Sequence, residues 1–348
     1  MADLVCFRIE HNIYYCPIQL NNNILTTNAG VSNDIDVYQD ALWNIVHSVK
    51  EDLYYIMDFG ECTGSIENIP KIIKKLANPK LIILAREKFK KVFEKQRISG
   101  LEIEEVVEKE NKIWIIKSNV EDELNDYIER IKPEITKYGS TEFFYKIILT
   151  QFFYQDIKNN NNYSFEKGGL KYLESSNVYV NKYINVKSLF LDYSYMMLVV
   201  KGLKRIIKKY FLSDEKEISL LGVSNNGIIL ANLLSYELNL PVQSLNRLGP
   251  VYCLEDSADR LSNFSEKKYV LVSDVICMGG EFRMAKGIVN ILGSHLLGGI
   301  CVVKIRDVYR GNKEEQVYAL LNDINDIEVE NDRIDYQIFI DDEETEEE

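Results

Sequence analysis

The sequence predicts a two-domain α/β protein. A small α/β domain occupies residues 1–140, and a larger domain built on a parallel sheet occupies 163–312. Three observations carry this. The chain is 348 residues long, and at about 100–200 residues per domain two domains are the default. Short apolar runs alternate with segments of helical periodicity, which sets helices against a sheet. The pattern breaks once, at Asn159–Asn162 and the YSFEKGG that follows, as it does at a linker.

In the first domain, LVCFRIE and IYYCPIQL flank His11-Asn12 and read as a hairpin, with Asn12 tolerating the positive φ of a tight turn. DVYQDALWNIVHSVKED puts Val37, Leu42, Ile45, Val46 and Val49 on one helical stripe. LYYIMDFG, an apolar run with a glycine exit, is a buried strand. NIPKIIKKLANP is a short helix stopped by Pro79, KLIILA a buried strand, EKFKKVFEKQR a helix, and LEIEEVVEKENKIWIIKS a strand or strand pair. EDELNDYIERIKPEITKYG has helical spacing that Pro133 is expected to interrupt. Residues 141–162 are a helical connection and the linker.

In the second domain, YVNKYINVKSLF reads as a strand and YSYMMLVVKGLKRIIKKYF as a long helix. EISLLGVS is a strand, NNGIILANLLSYELN a helix and LPVQSLNRL a strand. A polar loop then leads to Lys268. YVLVSDVI is a buried strand, GGEFRMAKGIVNILG a helix and LLGGICVVKIRD a strand. Right-handed crossovers would wind these units into one parallel sheet. Residues 313–340 form a C-terminal extension and 341–348 an acidic tail.

Composition narrows the function. The chain is 46% hydrophobic and 27% charged, as ordinary globular proteins are. No apolar run approaches the ~20 residues of a membrane span, so no membrane partner is expected. The N-terminus has no basic stretch followed by an apolar one, so no secretory leader is expected. The cysteines at 6, 16, 62, 253, 277 and 301 form no C-x-x-C pair. Neither a zinc site nor a disulfide framework is indicated, and reduced thiols in a cytoplasm are expected. His11, His47 and His295 lie far apart, which argues against a histidine-rich metal site. Net charge is −13, but the final DDEETEEE carries seven acids, leaving −6 for the rest. An acidic chain lacks the basic face of a general nucleic-acid binder, so nucleic acid is not an expected partner.

The chemistry-bearing stretch is 269–287, YVLVSDVICMGGEFRMAKG. A hydrophobic strand delivers Ser273 and Asp274 at its carboxyl end, a tight loop Cys277-Met278-Gly279-Gly280 follows, and a helix starts near Glu281. Ligands of open α/β sheets bind beyond the carboxyl ends of strands. Glycines let successive N–H groups approach a phosphate, and a helix N-terminus adds positive potential. A carboxylate just before such a loop can accept hydrogen bonds from ribose hydroxyls. As a plain βα turn, the glycines would only tighten the corner. A second corner, ISLLGVSNNGIILANLLSYELNLP, puts a Gly-x-x-x-x-Gly loop, Gly222 to Gly227, between a strand and a helix.

The first stretch resembles the phosphoribosyl-pyrophosphate (PRPP) signature of type I phosphoribosyltransferases: hydrophobic strand, two acids, two apolar residues, then a Thr/Gly-rich loop. The second resembles that family's first βα loop, which holds pyrophosphate. Residues 172–192 resemble the hood strands of the orotate branch, with Ser175-Ser176 and Tyr183-Ile184-Asn185-Val186-Lys187 in the places of its Ser-Gly pair and Tyr-Ile-Asp-like strand. CVVKIRDVYRG resembles its final sheet strand, ending at Arg306 near the base. The resemblance covers about residues 165–312. It implies PRPP or nucleotide binding, and transfer of phosphoribose to a nitrogen base with release of pyrophosphate. Asp274 would hold the ribose, and Cys277, Met278, Gly279, Gly280 and Glu281 the 5′-phosphate through their amides. Gly222, Ser224, Asn225, Asn226 and Gly227 would hold the pyrophosphate and Arg247 would offset its charge. Lys187 and Arg306 would contact the base. It implies magnesium accompanying PRPP, with no protein residue required to bind it directly, and a homodimer.

This sequence departs from the family pattern in three places. Ser273 stands where the first acid is usual. Cys277, Met278 and Glu281 stand where hydroxyls are common, and a carboxylate beside a phosphate repels it. Residues 248–259, LGPVYCLEDSAD, carry no base, and only Arg247 and Arg260 flank them. Electrostatic stabilisation is usually the largest catalytic term, and one lost donor costs ~10²–10³ in rate. The alternative function is therefore a catalytically inactive member that senses PRPP or nucleotide, or that docks a protein.

Other features have plainer readings. In KGLKRIIKKY the five bases Lys201, Lys204, Arg205, Lys208 and Lys209 read as a solvated helix face opposite Leu203, Ile206 and Ile207. Cys277 reads as a small residue in the place of threonine rather than a reactive thiolate. Asp58, followed by Cys62-Thr63-Gly64-Ser65, marks either a second ligand site or a capped helix start. His47 reads as structural. The order of elements in the first domain resembles the small α/β domain of sulfate transporters and anti-sigma-factor antagonists, which implies a protein partner there.

Overall fold

The computed structural model describes residues 6–17, 53–60, 80–96, 100–108, 111–159, 171–173, 178–180, 186–212, 217–245, 267–277, 279–305, 309–310, 313–322, 328–329, 332–333 and 338–339. The expected helices over 36–52 and 68–79, His47, Thr63 and Ser65 lie outside them. The chain divides into two compact units, Met1–Ile148 and Leu149–Glu348. Among the described residues no helix is long and apolar enough to cross a membrane.

The first unit is a mixed six-stranded sheet. In chain order its elements are β1 Phe7–Arg8, β2 Ile13–Pro17, β3 Tyr54–Asp58, β4 Leu81–Ala85, α1 Glu87–Gln96, β5 Leu101–Glu108, β6 Asn111–Ser118 and α2 Asp122–Tyr138. The sheet runs β1-β2-β3-β4-β6-β5. β2, β3 and β4 are parallel, and β1, β5 and β6 pair antiparallel with their neighbours. β4 is buried along its whole length, as the continuous apolar run LIILA requires of a central strand. LEIEEVVEKENKIWIIKS is a strand pair.

Three expectations for this unit are corrected. Asn12 does not take a positive φ. Ile9 and Glu10 both donate to the Ile13 carbonyl, so the turn is longer than two residues, and the Asn12 amide donates instead to Glu123 at 2.9 Å. Helix α2 runs unbroken through Pro133, because Leu124, Tyr127, Ile128, Ile131 and Ile135 bury one stripe on both sides of it and outweigh the missing N–H. Cys6 and Cys16 form a disulfide across the β1–β2 hairpin, where a thiol pair was expected to be reduced.

α3, Ser140–Asn159, contains the division between the units. The second unit continues with β7 Lys171–Leu173, β8 Val178–Val180, a 3₁₀ turn Val186–Phe190, α4 Tyr193–Tyr210, β9 Ser219–Val223 and α5 Ser224–Leu238. β10 Val242–Leu245, β11 Lys268–Ile276, α6 Gly280–Ile291 and β12 His295–Lys304 follow. Then come β13 Tyr309–Arg310, β14 Lys313–Glu314, β15 Val317–Asn322, β16 Glu328–Val329, β17 Asp332–Arg333 and β18 Ile338–Phe339. YVNKYINVKSLF is therefore not one strand: it contributes β8 and the 3₁₀ turn. β18 from the C-terminal end pairs with β8, which pairs with β7.

The principal sheet is β10-β9-β11-β12-β15, parallel throughout. β12 is not its last strand. β15, from the expected extension, lies outside it, and Tyr318 stacks on Tyr210 of α4 at 3.9 Å. The sheet is covered on both faces. The direction in which Gly298 would place a Cβ meets Phe211, and that of the next residue, Gly299, meets the Phe282 ring of α6. Successive strand residues point to opposite faces. Leu221, Val223, Tyr269, Leu271, Phe282, Ala285 and Val289 form one core cluster.

Candidate functional site

In chain order the parallel strands are arranged second, first, third, fourth, fifth. The crossovers leave β9 and β11 in opposite directions, so their carboxyl ends border the switch point where doubly wound sheets hold ligands. The register places Val272 beside Gly222. Beyond the paired register, Asp274 comes within 3.4 Å of the Ser224 hydroxyl at the start of α5. Both sequence-predicted corners thus meet at one end of one sheet.

The first corner differs from the loop predicted for residues 222–227. Gly222 is inside β9 and Gly227 inside the first turn of α5. Between them the chain turns at Ser224, whose φ is +60°, a left-handed conformation costly for a residue with a Cβ. The turn is tight because α5 lies against β11: a Cβ on Gly227 would come within 2.5 Å of the Val272 carbonyl. The Ser224 hydroxyl accepts the Gly227 N–H at 3.3 Å and donates to Asp274 Oδ1 at 3.4 Å. Asn226 donates its amide to Asp274 Oδ2 at 2.6 Å. Asp274 and Asn226 are both buried. A polar side chain therefore bridges the corners, and Asp274 already has two donors.

The second corner opens α6. Gly279 takes φ +74° at the N-cap and has no side chain with which to cap the first amides of the helix, the groups a helix N-terminus presents to anions. Glu281 lies in this first turn, half-buried. Burial, and then the Asp274 carboxylate, push its pKa up to about 7. Ser273, in the place of the usual first acid, is buried and donates to the Val275 carbonyl at 3.3 Å. Burial pushes the Cys301 thiol well above the ordinary range, which leaves it inert. Cys277 is partly exposed.

Of the other predicted residues, Lys187 is exposed in the 3₁₀ turn. Arg247, Met278 and Arg306 lie outside the described residues. The sequence missed the Asn226–Asp274 bond and the partial burial of Glu281. Strand register would have been the signal for the first. The basic helix face is also corrected: Lys201 and Lys204 turn onto Glu237 at 2.7 and 2.6 Å, and Lys201 is buried. In the first unit, Asp58 is buried and accepts from Tyr15 at 2.6 Å, Gly60 N–H at 2.7 Å and Thr141 at 3.1 Å. Its partners are those of a structural carboxylate.

No family model matches the chain, and no curated protein sequence matches it. Solved structures do match over part of its length. Adenine phosphoribosyltransferase from Giardia lamblia is 13% identical, with 41% of this chain and 87% of that one covered and a TM-score of 0.33. Orotate phosphoribosyltransferase from Francisella tularensis is 18% identical over 49% of this chain and 85% of that one, with a TM-score of 0.31. The orotate enzyme from Aeropyrum pernix is 17% identical over 39% and 73%, with a TM-score of 0.30. What the chain is similar to, over two-fifths to half of its length, is a set of type I phosphoribosyltransferases.

Proposed function

We propose that the second unit binds PRPP or a nucleotide in the crevice between the β9 and β11 corners, and transfers phosphoribose to a nitrogen base. The observation that carries this is the junction itself: Asp274 bonded to Ser224 and Asn226 at the switch point of the sheet, beside the N-terminus of α6 with its glycine N-cap. Ribose hydroxyls are donors, as Asn226 and Ser224 are, so the diol would share or replace their bonds to Asp274. The amides of 278–281 would take the 5′-phosphate and those of the Ser224 corner the pyrophosphate. Arg247, Lys187 and Arg306 are the cations assigned to pyrophosphate and base. In the reaction the bond from ribose C1′ to pyrophosphate breaks, its electrons leaving with the pyrophosphate, and a bond from C1′ to the base nitrogen forms as that nitrogen gives up its proton to solvent.

In this reading magnesium would arrive with the ligand, because a polyphosphate brings its own oxygens to the ion. When bound, it would neutralise the departing pyrophosphate.

The test is titration calorimetry with PRPP and magnesium, then a pyrophosphate-release assay with orotate, uracil, adenine and guanine. Binding, with release on one base that Asp274→Asn abolishes, is the expected result. Binding without release on any base would remove the transfer step. Unchanged turnover in Asp274→Asn would remove the site assignment.

A further inference from the structure

We propose that Glu281 sets the charge state in which this crevice accepts a ligand: an anionic group over the first turn of α6 is held when the Glu281 carboxyl is protonated and expelled when it ionises. The inference rests on the PRPP or nucleotide reading above. It concerns which side chain decides affinity there.

The argument begins with placement. Glu281 is the second residue of α6, beside the amides that an anion would use. Its carboxyl accepts no hydrogen bond from the described residues. The charged group facing it from β11 is Asp274. The α5 corner opposite offers Ser224, Asn225 and Asn226, none of which titrates. On β12, Lys304 acts at the buried Cys301. On its own helix, Lys286 is tied to Glu315 at 2.8 Å, and Arg283 is exposed. Burial and Asp274 both favour the protonated form of Glu281.

A phosphate in this turn would meet two carboxylates if both were ionised. The helix terminus supplies only about half a positive charge against them. Like charges in one site are relieved by protonating one of them. A protonated Glu281 is a hydrogen-bond donor and does for the phosphate what a hydroxyl would. Its midpoint at about 7 puts the change in the range where cells operate.

The protonated fraction falls from about nine-tenths at pH 6 to about one-tenth at pH 8, and apparent affinity scales with the competent fraction, a loss of about tenfold. The experiment is calorimetry on the full chain at these two pH values, with PRPP plus magnesium and separately with AMP. Wild type is compared with Glu281→Gln and Glu281→Ser. The ligand's own ionisation is common to all three proteins and cancels. Wild type is expected to lose about tenfold more affinity than either variant across this interval. Parallel pH profiles in proteins that all bind would overturn the role of Glu281 and leave the PRPP reading standing. No binding of either probe by any of the three, at either pH, would overturn both.

Discussion

Asn226 and Asp274, on different elements and 48 residues apart, share a 2.6 Å hydrogen bond across the carboxyl ends of β9 and β11. Both are buried. The bond ties the first turn of α5 to the strand that carries the acid. Replacing Asn226 by alanine leaves a buried carboxylate without its nearest donor, which costs about 1–3 kcal/mol. Urea unfolding should show that loss. A midpoint within error of wild type would mean that the carboxylate is satisfied in another way.

Gly227 and Gly287 lie on helices and should respond to alanine with opposite signs. A Cβ at 227 meets the Val272 carbonyl at 2.5 Å, so α5 must move off the sheet. Gly227→Ala is expected to cost about 3 kcal/mol, the upper range for overpacking. At 287 nothing lies within 4 Å, and Gly287→Ala should stabilise by about 0.5–1 kcal/mol. Parallel thermal melts check both. Two shifts of the same sign would contradict the packing of α5 on β11.

Glu237 is held by Lys201 and Lys204. Burial works against its ionisation, but the two lysine hydrogen bonds prevail and its pKa lies below the ordinary value. Its stabilisation is present above the unfolded-state value and is lost as pH falls through the folded one. Removing one partner of such a pair strands buried charge, at about 3–5 kcal/mol. Glu237→Ala should therefore unfold at markedly lower urea at pH 7, and the gap from wild type should narrow in acid. A gap that persists unchanged at pH 3 would point to lost packing instead of lost charge.

The strands of the second unit were legible because fully buried parallel strands are continuous apolar runs, as LLGV and YVLV are. Asp274 and the Gly279 turn were legible for a related reason: strand, acid, glycine and helix follow one another locally. β15 was not, since VYALLN alternates buried and half-buried positions at a sheet edge and resembles any amphipathic segment. The Asn226–Asp274 bond depends on register, which no local pattern encodes. The disulfide was hidden by a slip of one position. A two-residue turn at His11-Asn12 would set Cys16 opposite Phe7, whereas the longer turn pairs Phe7 with Tyr15 and so sets Cys6 opposite Cys16. Pro133 misled because its local penalty is smaller than the burial of the stripe around it.

The Cys6–Cys16 disulfide closes a short loop, with the cysteines ten residues apart. Closing a loop of that size constrains the unfolded chain by about 2–3 kcal/mol. Alkylation without reductant should leave both residues unlabelled, with peptide mass spectrometry finding them joined. Reductant should label both and lower the melting temperature of the first unit. Full labelling of both before reduction would contradict the disulfide.

The titration of Glu281 predicts a stability profile that needs no ligand. Its folded-state pKa is raised to about 7 from the ordinary 4.5. Between these values the native state holds more protons than the unfolded state, so stability falls as pH rises through this window and levels off above it. At 1.36 kcal/mol per pKa unit, the loss is about 3 kcal/mol when complete. This trend is opposite in sign to that of Glu237, whose lowered pKa makes stability fall as pH falls. Glu281→Gln keeps the shape and removes the charge. It should unfold at higher urea than wild type at pH 8 and at nearly the same urea at pH 5. If the two proteins stayed parallel from pH 5 to 8, the Glu281 carboxyl would be ionised throughout. The crowding of two carboxylates at the β11 corner would then be relieved by some other means.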